Sequence, residues 1–278
     1  MIRVTDLDSY LASFDGEPGY LDWAAFGPLS PAVRSEAQGD TELLGSGRRT
    51  SIELVADHER EARELVAELI GTDASHVVLQ PSTTYGLMHA IYGLAGGLML
   101  GRGEFPSLTV AATRASEAFG SVQLQWVEPA DGFMTPDAIR SALSDDTRAV
   151  AVSLVDFRTG YRTDLSAIRE VIGDRLLIVD AIQGFGAVEA DYLAADVVCG
   201  NGYKWLRAGR GTGFAWFGDR ALERIAPVLS GFQGVEGDLP VDTVPVPAAS
   251  ARAFSVAGFD TLAAARLATA LREVVDVG

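Results

Sequence analysis

Short apolar runs alternate with longer segments of helical spacing from Asp73 onward. The runs are apolar throughout, which is typical of strands buried on both faces of a parallel sheet. The pattern therefore predicts an α/β fold with helices on both faces of the sheet. We expect strands at "HVVLQ", "SLTVAA", "VQLQWVEP", "RAVAVSLV", "RLLIVDAIQ", "DVVCGNG" and "TGFAWF". We expect helices at "STTYGLMHAIYGLA", "TPDAIRSALS" and "DLSAIREVIG".

Changes in composition divide the chain into three parts. Residues 1–50 are predicted to form an N-terminal arm. Residues 51–235 are predicted to form a large domain that opens with the charged helix "SIELVADHEREARELVAELIG". Residues 236–278 are predicted to contain a Pro- and Gly-rich linker and then the helix "DTLAAARLATALREVV", the start of a shortened C-terminal small domain.

The charge balance narrows the classes of partner. The formal net charge is −16, and the acidic residues are spread along the chain. Nucleic acids and anionic membranes both require basic patches, so neither is expected as a partner. The single Cys199 excludes an internal disulfide framework and favours a cytoplasmic protein. We find no secretory leader pattern, and the apolar run "GLAGGLMLG" is too short to span a bilayer.

Polar residues follow several of the predicted strands. In open parallel sheets, ligands bind at the carboxyl ends of the strands. The residues just after such ends are Ser82, Asp156, Asp180 and Asn201. We therefore treat this group as candidate binding residues.

The residues around these strand ends meet the chemical needs of pyridoxal phosphate. Lys204 follows an apolar strand and can form a Schiff base with the aldehyde. Asp180 can hold the protonated pyridine nitrogen, and Gln183 can bond the ring hydroxyl. Phe105 is either a core residue or a ring that stacks on the cofactor, and we favour stacking.

The phosphate group has its own candidate donors. "PSTTYG" opens a helix after a strand, so free N–H groups and the hydroxyls of Ser82 and Thr83 predict an anion site. The same residues would also suit simple helix capping. Asn201 and Tyr203 are predicted to add contacts to the cofactor from the opposite side.

At these residues the chain resembles the class V aminotransferase group of fold-type I pyridoxal phosphate enzymes. The resemblance covers most of residues 20 to 260. It implies a large domain with a mostly parallel, seven-stranded-type sheet between helices, a small C-terminal domain, and an N-terminal arm contributing to the active site. It also implies a homodimer with active sites at the interface, and makes Thr212 a candidate to reach the neighbouring subunit's phosphate. The motifs are "YLDWAAFGP", "PSTTYG", "GEFPS", "VSLVDFRTG", "IVDAIQGFG" and "GNGYKWLRAGRGTGF".

Within this group the chain is similar to two branches. "VDFRTG" and "GYKWLRAG" resemble kynureninases, and "KWLRAGRGTGF" resembles the isopenicillin-N epimerase branch. Cysteine desulfurases usually carry histidines where this chain has Phe105 and Tyr203, and their nucleophile is a cysteine on a later loop. No cysteine follows Cys199, so persulfide chemistry is disfavoured. The group's C-terminal arginine for the substrate carboxylate has no clear counterpart, and Arg252 is a candidate.

Several interpretations stay open at this point. The reaction on an α-amino acid could be transamination, elimination, hydrolysis or epimerisation, and a non-catalytic cofactor-binding homologue is the alternative. Asp156 could contact the cofactor or cap the turn in "DFRTG". The "GRGTG" segment precedes a predicted strand and not a helix, which argues against a dinucleotide loop. We expect no metal site, because no histidine has a second ligand at metal spacing in sequence; the three are His58, His76 and His89.

Overall fold

The computed structural model of the chain describes residues 7–237 and 242–277. Residues 1–6 of the predicted arm and residues 238–241 of the predicted linker lie outside the described residues. The described helices are α1 (Leu7–Ala12), α2 (Pro31–Gly45), α3 (Arg49–Ile70), α4 (Thr83–Tyr92), α5 (Pro106–Phe119), α6 (Pro136–Ala142), α7 (Leu165–Ile172), α8 (Asp219–Arg224) and α9 (Thr261–Val277).

A sheet of seven strands forms the centre of the fold, in the order β1-β7-β6-β5-β4-β2-β3. Strands β2 to β6 pair in parallel, whereas β7 runs antiparallel to both of its neighbours, β6 and β1. The prediction of a mostly parallel sheet between helices is therefore confirmed. The strands are β1 (Val77–Gln80), β2 (Gly96–Gly101), β3 (Val122–Val127), β4 (Thr147–Ser153), β5 (Leu176–Asp180), β6 (Val197–Asn201) and β7 (Gly213–Phe217).

Both faces of the sheet are buried, as the continuous apolar runs require. Along β5, Leu177 and Val179 pack into one core, and Leu176 and Ile178 pack into the other. This alternation follows from the two-residue period of a strand. Helices α3, α7 and α9 contribute to the first core, and α4 and α5 contribute to the second.

One predicted strand was wrong. The segment "SLTVAA" lies in α5, and the strand in this part of the sheet is β2, "GGLMLG". Pro106 occupies the first turn of α5, where its fixed φ angle and missing N–H are tolerated. Leu108, Ala111, Ala112 and Ala115 then recur at the spacing of one helix face and are all buried. The helical period of these residues prevails over the β-rich composition of the short window.

The two ends of the described chain pack close to the large domain. Helix α9 contacts α2 and α3 along its length. Its apolar face, which includes Ala264, Leu267 and Leu271, is continuous with the first core. The assignment of residues 236–278 to a separate small domain stays a prediction. No helix in the described ranges is both long and apolar enough to cross a membrane.

Candidate functional site

Lys204 lies in a tightly closed loop that follows β6. The loop is held by backbone hydrogen bonds from Gly202 N to Thr212 O (2.9 Å) and from Ala208 N to Gly202 O (2.8 Å). The N-terminal arm approaches the loop at Gly27, whose N–H donates to Tyr203 O (2.9 Å). A Cβ on Gly27 would lie 1.9 Å from Lys204 O, so only glycine permits this contact. The arm therefore forms one wall of the Lys204 loop.

The amine of Lys204 is buried without a close partner. The residue is 6% exposed, and among the described residues it makes no ion pair within 4 Å. Its Nζ lies 5.7 Å from the ring centroid of Tyr203 and 6.0 Å from that of Phe105. Burial lowers the pKa of Lys204; nearby Asp180 opposes this shift, and the positive charge of Arg210 adds to it. The neutral amine, which is the nucleophile, is thereby favoured.

Asp180 ends β5 beside Lys204. Its Oδ1 accepts a hydrogen bond from Ile182 N (3.1 Å), and the residue is 2% exposed. Burial raises the pKa of Asp180 to about 6, with the Ile182 N–H and Lys204 acting in the opposite direction. At neutral pH the carboxylate is thus mainly ionised but poorly compensated. A positively charged ligand atom placed here would be stabilised.

Two further predicted residues present buried polar atoms that have no protein partner. The Nε2 of Gln183 donates to Ala24 O of the arm (3.1 Å), which leaves its buried Oε1 without a hydrogen bond. The buried Oγ1 of Thr83, in the first turn of α4, also has none. Buried polar atoms are normally paired, so unpaired ones at a strand end indicate space for a ligand.

The start of α4 has the features of an anion site. Ser82 is the N-cap residue in an extended conformation, and its side chain makes no capping hydrogen bond. The neighbouring Thr84 hydroxyl lies 2.8 Å from Ser107 Oγ, at the start of α5. Free N–H groups at a helix N-terminus together with free hydroxyls suit a phosphate group.

Phe105 stands at the edge of the site, as the N-cap residue of α5. It is 37% exposed and packs edge-to-face on Phe157, with 5.1 Å between ring centroids. An exposed aromatic face near Lys204 is what stacking on a cofactor ring would need. The stacking role itself stays a prediction.

The other predicted residues of the loop bond to one another. Asn201 Oδ1 accepts from Tyr203 N (3.2 Å) and lies 3.2 Å from Thr212 Oγ1. The Thr212 hydroxyl donates to Gly209 O (2.6 Å), and its residue is fully buried. Thr212 therefore closes its own loop from inside, and the intersubunit contact predicted for it would require that loop to rearrange.

Asp156 is occupied by its own turn. Its Oδ1 accepts from the N–H groups of Arg158 and Thr159 (both 2.9 Å), and its Oδ2 pairs with Arg158 (2.8 Å). These bonds are those of the turn-capping alternative. They leave no oxygen of Asp156 unpaired for a cofactor.

Three features of the site were missed from the sequence. Lys204 is the only lysine in the chain, which has 21 arginines. Arg210 lies with its guanidinium 4.8 Å from the Tyr203 ring centroid. Glu104 accepts from Ser153 Oγ (2.5 Å), and burial raises its pKa to about 7, with the Ser153 hydrogen bonds opposing the shift. A count of residue types would have found the first feature; the other two depend on the folded arrangement.

The described residues fit pyridoxal phosphate. The amine follows β6, the carboxylate and the amide oxygen follow β5, and the helix N-terminus follows β1, so the set comes from three strand ends. Each presents an atom without a protein partner or with an uncompensated charge. Arg252 donates from Nε to Gln233 O (2.8 Å) and lines a cleft of about 810 Å³ that also reaches Pro81, Tyr85 and Gly211.

Comparison with known proteins identifies relatives of the chain. The family model of class V aminotransferases matches residues 20–237. A kynureninase of Deinococcus radiodurans is 30% identical, over 96% of this chain and 68% of the relative. A cysteine desulfurase IscS of Ectopseudomonas mendocina is 32% identical, over 63% of this chain and 46% of the relative. The chain thus spans about two thirds of the kynureninase and about half of the desulfurase.

Solved structures share the fold. The cystine C–S lyase C-DES, in complex with cysteine persulfide, superposes with a TM-score of 0.84 at 20% identity, covering 95% of this chain and 74% of C-DES. The cysteine desulfurase CsdA of Escherichia coli gives a TM-score of 0.80 at 21% identity, covering 99% of this chain and 73% of CsdA.

Proposed function

The chain belongs to the class V aminotransferase family of pyridoxal 5′-phosphate-dependent enzymes, and on this premise we propose that it acts on an α-amino acid through a cofactor bound covalently at Lys204. The observation that carries the proposal is the position of Lys204, the chain's only lysine, beside Asp180 at adjacent strand ends. No other side chain offers an amine to the aldehyde.

The cofactor, when bound, supplies an electron sink for negative charge at the substrate Cα. The carboxylate of Asp180 is proposed to hold the proton on the ring nitrogen, and the Gln183 Oε1 to accept from the ring hydroxyl. Ser82, Thr83 and the N-terminus of α4 are proposed to bind the phosphate. Phe105 is proposed to cover one face of the ring.

Lys204 is also the proposed proton carrier at the substrate Cα. Burial and Arg210 lower the pKa of its amine, so near neutral pH a larger fraction of this amine is unprotonated and able to accept a proton than for a solvated lysine. Among the described residues, the three histidines lie on helix α3, in the turn before β1 and on α4, none in the Lys204 loop. Lys204 is therefore assigned both the binding and the proton-transfer role.

Arg210 is the proposed partner of the substrate carboxylate. Its guanidinium is exposed, stacks on the Tyr203 ring at 4.8 Å and acts electrostatically on the Lys204 amine. An exposed cation so near the reacting amine can pair with a carboxylate attached to the substrate Cα. The guanidinium of Arg252, the sequence candidate, already donates to Gln233 O.

Among reaction types, we propose a kynureninase-like or lyase-type cleavage of the amino-acid side chain. The kynureninase relative matches along 96% of the chain, which supports this choice. Cys199, the only cysteine, is fully buried, and burial raises its thiol pKa well above the ordinary value. A buried neutral thiol is a poor nucleophile, so persulfide transfer is disfavoured. The homodimer and the cytoplasmic location stay predictions.

The test is to locate the cofactor. Purified protein is mixed with pyridoxal phosphate, its visible absorption is recorded, and the complex is reduced with borohydride and mapped by mass spectrometry. We expect a visible band and a reduced adduct on the peptide containing Lys204, both absent from Lys204→Ala and from the charge-preserving Lys204→Arg. L-kynurenine, L-cysteine and L-alanine are then added in turn, and one of them is expected to shift the band and be consumed.

The outcomes separate the alternatives. An adduct only at the N-terminal amine, or no band at all, would contradict the role of Lys204. A band that forms on Lys204 but turns over no amino acid would favour the non-catalytic cofactor-binding homologue.

A further inference from the structure

A second group of charged side chains, of which Asp40 is buried and the others are partly exposed, lies between three helices, away from the Lys204 loop. We call it the His58 cluster: Glu36 and Asp40 of α2, His58 and Glu61 of α3, and Arg272 of α9. Glu36, Asp40 and His58 each offer one ligand atom, and these atoms all lie within 4.8 Å of one another. None of these residues belongs to the site proposed for pyridoxal phosphate.

Glu61 fixes the orientation of the His58 ring. His58 Nδ1 lies 3.2 Å from Glu61 Oε2, and Arg272 Nη1 lies 2.9 Å from the other oxygen of Glu61. A carboxylate held by an arginine is ionised and can only accept, so Nδ1 carries the hydrogen. In the neutral ring Nε2 then presents a lone pair.

That lone pair faces two further acceptors. Nε2 lies 3.2 Å from Glu36 Oε1 and 3.3 Å from Asp40 Oδ2. Asp40 is 5% exposed, and its buried Oδ2 has no hydrogen-bond partner among the described residues. Three acceptors that converge in a partly buried space repel one another unless a cation lies between them.

We propose that Glu36, Asp40 and His58 bind a divalent transition-metal ion, with Zn²⁺ as the best match. Ligands at Zn²⁺ distances of about 2.0–2.1 Å in a tetrahedron lie about 3.3 Å apart. The contacts from Nε2 to the two carboxylate oxygens, 3.2 and 3.3 Å, have this length. The carboxylate–histidine–metal arrangement is completed by Glu61, which orients the ring from behind.

Three protein ligands leave one position of a tetrahedral Zn²⁺ ion open. A cleft of about 820 Å³ opens beside Glu36 and Asp40, so water can provide a fourth ligand and an ion can enter. No pattern in the sequence indicates this site, because Glu36 and Asp40 lie on a different helix from His58. Since the ion would join α2 to α3, we expect it to stabilise the packing of the N-terminal arm. This inference does not depend on the function proposed for Lys204.

The test is Zn²⁺ binding to the untagged, chelator-treated full chain loaded with pyridoxal phosphate, measured by isothermal titration in a non-coordinating buffer. We expect one ion per chain, and a melting temperature that rises with Zn²⁺. His58→Gln and Glu36→Gln are expected to weaken binding more than 100-fold. Glu61→Gln, which keeps all three ligands but loosens the ring, is expected to weaken it about 10- to 100-fold.

His76→Gln is the matched control, since His76 pairs with a single carboxylate, Asp219, at the surface. It is expected to bind Zn²⁺ as the parent does. Absence of stoichiometric binding, or equal binding by Glu36→Gln and the parent, would overturn the proposal. A melting temperature that changes with pH but not with Zn²⁺ would show that Nε2 carries a proton and binds no ion. That result would also overturn the proposal.

Discussion

The Lys204 site and the His58 cluster both gather charged side chains, but they leave different kinds of atoms without partners. In the Lys204 site these are an amine, a hydroxyl and an amide oxygen at separate strand ends: Lys204 Nζ, Thr83 Oγ1 and Gln183 Oε1. In the His58 cluster they are acceptors on two neighbouring helices. Mixed donors and acceptors suit an organic ligand with several functional groups, whereas converging acceptors suit a cation.

The largest effect on amino-acid binding is expected from Arg210→Gln, which tests the ligand assigned to the first region. Loss of a charged hydrogen bond to the substrate carboxylate costs about 1.5–3 kcal/mol, or roughly 10- to 100-fold in affinity. We expect weaker binding of whichever α-amino acid shifts the visible band most, with little change for ethylamine, which lacks the carboxylate. Spectral titration measures both ligands.

Arg252→Gln is the control for Arg210→Gln, and it should leave both affinities near those of the parent. If Arg252→Gln weakens amino-acid binding and Arg210→Gln does not, the sequence candidate is correct and the assignment of Arg210 is wrong.

Arg207 joins the Lys204 loop to α9, the helix that also carries Arg272 of the His58 cluster, and provides the next prediction. It follows Lys204 by three residues, is 2% exposed and pairs with Glu273 of α9 at 3.5 Å. Arg207→Met leaves the Glu273 carboxylate without its charge partner in a nearly buried position. We expect a loss of about 3 kcal/mol in the free energy of unfolding, measured by urea denaturation.

The exposed pair of Arg34 and Asp15 supplies a comparison for that variant. Arg34→Met should barely change the unfolding curve, because solvent screens such pairs. Similar curves for the two variants would show that Arg207 does not hold the Lys204 loop to α9.

The sequence was informative about the first region for a physical reason. Strand ends are marked locally by a polar residue after an apolar run, as at Asp180 and Asn201, and parallel strands bring such ends to one edge. The local pattern predicted the wrong element at "SLTVAA", because the helical period is visible only over the longer segment Pro106–Phe119. The sequence could not predict the hydrogen-bond partner of the Thr212 hydroxyl either, because that partner depends on how the loop closes.

The second region was not predictable in the same way. Glu36 and Asp40 are one turn apart on α2, but His58 joins them only because α3 packs against that face. Three acidic residues and a histidine on two charged helices look like a solvated surface in sequence. The burial of Asp40, and the absence of a hydrogen-bond donor for its Oδ2, arise from tertiary packing.

The smallest effect expected is a change in the pH dependence of stability, from Glu104 at the edge of the Lys204 site. Its folded pKa, about 7, lies above the ordinary 4.5. The folded state therefore holds this proton more tightly, and the stabilisation is complete below pH 4.5 and lost as pH rises through 7. Asp180 acts with the same sign but at lower pH, near 6, and His89, lowered to about 4 by burial, acts in the opposite sense below 6.5.

Glu104→Gln isolates this effect, because the amide oxygen can still accept from Ser153 while the group no longer titrates. Between pH 5 and 8 the parent should lose about 1–2 kcal/mol more than the variant in the free energy of unfolding, a reduced value because Glu104 is only half-buried. Urea denaturation at four pH values measures the difference, with exposed Glu128→Gln as the control. Parallel curves for the parent and Glu104→Gln would mean that Glu104 is ionised throughout this range. The Lys204 site would then hold a second permanent negative charge beside Asp180. Such a charge would disfavour an organic ligand of mixed charge in this site.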